Sequence, residues 1–208
     1  MSRCVILSAA PVTDPAALRG LLQPGDWFVA ADGGLRLAQA LGVHPAAVVA
    51  DFDSGQEPEE DGLEIIRYPV EKDVTDTQAA AMLALERGYR DFLLLGCTGG
   101  RLDHTMGNLS VLLYILRRGG SALLADEDNR VRLLAPGDYT VPAEKGFHLS
   151  LVPFGGDVRG VTLRHVKYPL ADAVLSEEET LGISNEFLDC PAQISFREGR
   201  LLLFFSRD

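Results

Sequence analysis

Phe92-Leu93-Leu94-Leu95-Gly96-Cys97-Thr98-Gly99-Gly100-Arg101-Leu102-Asp103-His104 reads as a strand, a glycine-rich turn and the opening of a helix. A short apolar run stopped by glycine has the length of a buried strand. Glycines let a backbone approach an anion closely, and an opening helix adds N–H groups that lack partners. Arg101 stands where a guanidinium can grip phosphate oxygens at two points. The stretch is no Walker loop, because no Gly-Lys-Ser/Thr ends it. Nor is it a dinucleotide fingerprint, because its glycine spacing differs.

The same grammar extends outward on both sides. Strands are expected over 5–8, 27–31, 48–50, 64–67, 92–95 and 122–125, and helices over 15–22, 35–41, 76–87 and 103–118. Alternation of this kind builds βα units around a mostly parallel sheet with flanking helices. In the last helix Leu109, Leu112, Leu113 and Leu116 form the expected apolar stripe. After the polar stretch 126–129 the pattern changes to valine-rich runs separated by Pro-Gly, Gly-Gly and Glu-Gly turns. Runs at 131–134, 147–151, 158–163, 173–175, 192–196 and 201–205 read as antiparallel strands of a smaller all-β sandwich or barrel. The fold class is α/β with a C-terminal all-β part, and the expected domains are 1–127 and 128–208.

With 208 residues and 47% apolar content the chain can bury a real core. Cys4, Cys97 and Cys190 lie far apart in an odd-numbered set, which argues against a disulfide framework or a zinc knuckle. The first apolar run, before Pro11, suits a strand better than a signal peptide, and no run approaches the roughly 20 residues that span a bilayer. A soluble, cytoplasmic protein without a membrane partner is expected. A net charge of −11 argues against nucleic acid as a partner and asks which cation the carboxylates serve.

Asp51 and Asp53, in Asp51-Phe52-Asp53-Ser54, follow a strand and would face the same way in an extended segment. Paired hard oxygens suit Mg²⁺, although Asp and Ser after a strand also make ordinary turns. A second cluster runs from Glu71 to Gln78. Thr75 with Gln78 reads as a capping box and Asp76 as a first-turn acid, while Asp73 has no such structural explanation. Ala31-Asp32-Gly33-Gly34 repeats the strand, turn and helix arrangement. In an open parallel sheet such turns converge on one crevice beyond the carboxyl ends of the strands.

Asp-Gly-Gly at 32–34, Asp-Phe-Asp-Ser at 51–54, Asp-x-Thr-Asp at 73–76, Gly-Gly-Arg-x-Asp-His at 99–104 followed by Asn-Leu, and Gly-Ile-Ser-Asn-Glu at 182–186 stand together in order and spacing. The set resembles the bacterial thiamine pyrophosphokinases. The resemblance implies a Rossmann-like N-terminal nucleotide-binding domain, a C-terminal thiamine-binding β-sandwich, and a homodimer with thiamine at the subunit interface. It also implies transfer of the pyrophosphoryl group of ATP to the thiamine hydroxyl, giving AMP, with Mg²⁺ as cofactor.

Residue by residue, the resemblance assigns Asp51, Asp53 and Asp73 to the metal, with Asp76 and Arg101 completing the catalytic set. Asp32, Gly33, Thr75, Gly99, Gly100 and Arg101 would hold ATP, and Asp76, Asp103, Ser184 and Asn185 would hold thiamine. Asp76 is the candidate that orients the attacking hydroxyl, and His104 stands behind the contacting residues. The family usually has Gly before Asp-Phe-Asp-Ser, where this chain carries Ala50. Two other readings compete. A haloacid-dehalogenase-type phosphatase also uses Asp-x-Asp, but on its first strand and followed by Thr or Val. A non-catalytic nucleotide or thiamine sensor would need fewer charged groups than Asp51, Asp53 and Arg101.

Overall fold

The computed structural model describes residues 2–50, 62–67 and 74–208 and divides into two compact units, Met1–Glu127 and Asp128–Asp208. In the first unit the described elements are β1 (Cys4–Leu7), α1 (Pro15–Arg19), β2 (Trp27–Ala31), α2 (Gly34–Leu41), β3 (Ala47–Ala50), β4 (Glu64–Arg67), α3 (Asp76–Glu86), β5 (Asp91–Leu95), α4 (Leu102–Leu116) and β6 (Ser121–Ala125).

The strands of this unit are parallel, in the order β6-β5-β1-β2-β3-β4. β1 is buried at every position and β5 at all but its first, as expected of strands covered on both faces. Val5, Leu7, Leu93 and Leu95 pack against Leu18 of α1 and Leu37, Ala38 and Leu41 of α2. Alternation turns Cys4, Ile6, Phe92 and Leu94 to the opposite face. There α3 lies on β1, β2 and β3, and α4 packs on α3 and β6. Four buried alanines of α3, Ala79, Ala80, Ala81 and Ala84, allow a close approach to the sheet.

From β1 the chain works outward to β4, then returns to the other side of β1 as β5. The β1/β5 boundary is therefore the topological switch point, where loops diverge and leave a crevice. Asp51 follows β3, the third strand, which separates this chain from the first-strand motif of the haloacid-dehalogenase-type reading.

The second unit contains β7 (Asn129–Leu134), β8 (Gly137–Val141), β9 (His148–Pro153), β10 (Val158–Arg164), β11 (Leu170–Leu175), β12 (Asn185–Glu186), β13 (Ala192–Phe196) and β14 (Leu201–Ser206). β12-β9-β14-β7 and β11-β10-β13-β8 form two antiparallel groups. Leu149, Leu151, Leu201 and Leu203 of the first meet Val161, Leu163, Ile194 and Phe196 of the second in one core, so the unit is a sandwich. β8 and β12 are strands beyond those expected from sequence. β8 is an edge strand with exposed Asp138 and Thr140, so it carries little apolar signal.

Candidate active site

Beyond the carboxyl ends of β1, β2 and β5 lies a cavity of about 370 Å³. Its lining includes Asp32 after β2, Thr75 and Asp76 at the start of α3, and Gly99, Gly100 and Arg101 before α4. Six of the residues expected at the ATP and catalytic sites are thus brought to one cavity. Asp103 is not among the lining residues. Ser184 and Asn185 belong to the second unit. Asp51, Asp53 and Asp73 lie outside the described residues.

The approach of α2 to the cavity depends on Gly34. A Cβ there would sit 1.9 Å from the Leu7 carbonyl oxygen, so only glycine lets the helix start against the end of β1. Asp32, just before it, takes the left-handed backbone region at φ 48°, which Asp tolerates better than most residues. Its N–H donates to the Val49 carbonyl at 2.9 Å. At the other rim Gly99 and Gly100 have φ of 85° and 61°, a succession that side chains resist. Ala50 ends β3 within the ladder, paired with Arg67, so no left-handed glycine is required at that position.

The glycine-rich loop is tethered from three directions. The Ala10 N–H donates to the Gly96 carbonyl at 2.9 Å. Asn108 Nδ2 of α4 donates to the Cys97 carbonyl at 2.8 Å, and the Thr98 hydroxyl donates to Asp126 at 2.6 Å. Below the loop the hydroxyls of Ser8 and Thr77 lie 2.9 Å apart in a buried contact. Burial pushes the Cys97 thiol up to about 12, opposed by a hydrogen bond with Ser8, so this sulfur stays protonated and is no nucleophile.

Two of the helices that open at the cavity lack a side-chain cap. α2 starts from Gly33 and α4 from Arg101, neither with a capping hydrogen bond, whereas the Thr75 hydroxyl oxygen of α3 accepts from the Gln78 N–H at 3.3 Å. Uncapped amino ends leave backbone donors and a positive dipole for an anion. Arg101 lies beside them and forks onto Asp103. Nε donates to Oδ1 at 3.1 Å and a terminal nitrogen to Oδ2 at 2.6 Å. That fork holds the Asp103 carboxyl down at about 2, against the cost of desolvation and with help from the His104 N–H. The sequence assigned Arg101 to phosphate, and here a carboxylate occupies the grip of its guanidinium.

Asn185 is 6% exposed, and both ends of its amide are engaged. Oδ1 accepts from the N–H groups of Tyr168 and Glu186, and Nδ2 donates to the Tyr168 carbonyl at 2.7 Å. Ser184 is exposed, with φ 58°, and its N–H donates to the Ser150 hydroxyl at 2.9 Å. Sequence reasoning gave no role to Ser8, Thr77 and Asn108, all of which line the cavity. Ser8 and Thr77 meet across 69 positions, and no local pattern announces such a pair. Asn108 stood inside a quoted motif and gave the one signal available.

Two family models match the chain, thiamin pyrophosphokinase, catalytic domain, over residues 18–123 and thiamin pyrophosphokinase, vitamin B1 binding domain, over residues 138–201. Thiamine pyrophosphokinase of Bacillus subtilis is 30% identical over 209 residues, covering 98% of each chain. A crystal structure of thiamine pyrophosphokinase from Bacillus subtilis superposes with a TM-score of 0.88 at 27% identity, covering 100% of both chains. One from Geobacillus thermodenitrificans gives 0.84 at 32% identity, covering 100% of this chain and 98% of that one.

Proposed function

This chain belongs to the thiamine pyrophosphokinase family, and from that premise we propose how its own residues carry out the family reaction. It is a thiamine diphosphokinase: the pyrophosphoryl group of ATP passes to thiamine. The observation that carries the reading is the convergence of Asp32, Asp76, the Gly99-Gly100 turn and Arg101 on one cavity at the switch point, in a chain both of whose units match the family.

The ATP phosphates lie against the amino end of α4 and the Gly99-Gly100 backbone, where backbone N–H groups meet their charge. Arg101 leaves Asp103 for the phosphate oxygens, which offer the same two-point match. The thiamine hydroxyl oxygen attacks the β-phosphorus in line. The new O–P bond forms as the bond to the bridging α,β-oxygen breaks, AMP leaves with that oxygen, and the hydroxyl proton is released. Asp76, in the first turn of α3, orients the hydroxyl. Positioning and charge neutralisation account for most of the rate.

The described carboxylates that line the cavity, Asp32 and Asp76, supply hard oxygen donors of the kind a divalent cation takes, so the donor chemistry fits Mg²⁺. Among the described residues no group of three potential ligands stands together, and Asp51, Asp53 and Asp73 are the residues that would hold the ion. When bound, the ion neutralises phosphate charge. A homodimer with shared sites is supported by apolar side chains exposed around Ser184, namely Tyr168, Leu181, Ile183 and Leu188. Ser184 and Asn185 then act as the thiamine-side pair, Asn185 by holding the Tyr168 segment.

Incubation of purified protein with thiamine, ATP and Mg²⁺ should yield thiamine pyrophosphate and AMP in equal amounts. Formation of ADP instead would overturn pyrophosphoryl transfer.

A further inference from the structure

We propose that Asn108 reads substrate directly, its side-chain Oδ1 accepting a hydrogen bond from an N–H or O–H group on the part of a bound substrate that is not phosphate. This rests on the kinase reading above and goes beyond it in assigning a recognition atom. Asn108 lies in the second turn of α4, one helical turn beyond His104, and both line the cavity. The same stripe continues into the core as Val111, Leu112 and Ile115, so Asn108 is the polar floor residue where the buried face of α4 reaches the cavity.

The residue is 7% exposed, and the orientation of its amide is fixed by chemistry. Its partner in the loop is the Cys97 carbonyl, at 2.8 Å, and a carbonyl can be met only by the amide NH₂. Oδ1 is therefore the other atom. It accepts no hydrogen bond from any described residue, nor does it number among the fully buried polar atoms without a partner. An acceptor that is neither bonded nor sealed, on a residue that lines the cavity, opens into the cavity.

An amide oxygen repels ionised phosphate, which has no proton to give at neutral pH, and attracts a donor. Oδ1 thus marks where the phosphate end of the cavity, at Gly99, Gly100 and Arg101, gives way to a donor-bearing group. That group is an amino or hydroxyl of the ATP nucleoside or of thiamine. A buried acceptor left without its donor costs binding, which lets a single atom discriminate.

Calorimetric binding of ATP, thiamine and Mg²⁺-pyrophosphate to wild type and Asn108→Leu tests this. So do analogues that each lack one donor: the 6-amino, 2′-hydroxyl or 3′-hydroxyl of ATP, and the amino or hydroxyl group of thiamine. One analogue should bind wild type about tenfold more weakly than its parent. Asn108→Leu should bind that parent about tenfold more weakly than wild type does and should no longer distinguish it from the analogue. The analogue affected identifies the source of the donor. Mg²⁺-pyrophosphate, which offers no donor, should lose only what release of the Cys97 tether costs, several-fold less than the parent loses. Discrimination that survives in Asn108→Leu would overturn the assignment. Equal losses for pyrophosphate and both substrates would also overturn it, leaving Asn108 as a strut for the loop. If Asn108→Leu does not fold, the wild-type analogue series decides, since no analogue losing more than about twofold also refutes a donor contact. Failure of wild type to bind either ATP or thiamine would instead overturn the kinase reading.

Discussion

Arg101 is the side chain proposed to grip phosphate, and its fork onto Asp103 uses the planar geometry that such a grip needs. Lysine keeps the charge and loses the two-point grip. Arg101→Lys should therefore lower kcat/KM by about a hundredfold or more, close to Arg101→Ala. If lysine restores most of the efficiency, the phosphate grip lies elsewhere. The same pair predicts a titration. The Asp103 carboxyl falls from 3.8 to about 2 in the fold, so its interaction with Arg101 is present above its ordinary value and is lost as pH falls through about 2. Carbon-detected NMR should find Asp103 ionised at pH 3 in wild type and back in the usual carboxylate range in Arg101→Ala. Both side chains are largely exposed, at 72% and 64%, so thermal stability should change little between the two proteins. Asp53→Asn should abolish turnover with the fold intact, because it removes a proposed metal ligand. Near-normal activity with unchanged Mg²⁺ dependence would remove Asp53 from the metal site.

Two glycines separate element packing from element propensity. Gly34 opens α2 against the end of β1, and its added Cβ would collide with the Leu7 carbonyl oxygen at 1.9 Å. Gly107 lies inside α4 with nothing within 4 Å of an added Cβ. Gly34→Ala should cost about 3 kcal/mol or more in urea unfolding, through overpacking against a backbone that cannot yield. Gly107→Ala should stabilise by about 0.5–1 kcal/mol through helix propensity. Equal effects of the two would mean that α2 does not dock as described. The elements also show where periodicity misleads. The expected stripe of α4 was Leu109, Leu112, Leu113 and Leu116, whereas the buried face is Asn108, Leu109, Val111, Leu112 and Ile115. Hydropathy counts Asn108 as an outward residue, although its bond to the Cys97 carbonyl is what permits its burial, so the stripe is drawn on the wrong side of Leu112.

At the scale of the whole molecule, the proposed shared sites predict complementation. In that arrangement Asp53→Asn should disable the proposed α/β side of a site, and Asn185→Ala should disable the proposed thiamine side by releasing Tyr168 from both amide contacts. Each variant is first shown to fold and to dimerise. Mixed under exchange, half of the dimers are mixed, and each of these holds one site with two intact halves, so activity should rise toward about a quarter of wild type. Verified mixed dimers that stay inactive would place each site within one chain.

The sequence by itself determined the succession of βα units and the later change to strands and turns, because hydrophobic periodicity and glycine breaks act over a few residues. It also placed Asp32, Thr75, Asp76, Gly99, Gly100 and Arg101 at element ends, where a parallel sheet gathers its loops. Strand order is another matter, since it depends on how the chain returns from β4 to β5, and no local pattern records that path. Only the tertiary structure paired Ser8 with Thr77, turned Arg101 onto Asp103 and used the Asn185 amide to hold Tyr168. Each is a polar contact whose partner is chosen by proximity after folding, and a residue's chemistry names what it can bond without naming which neighbour will arrive.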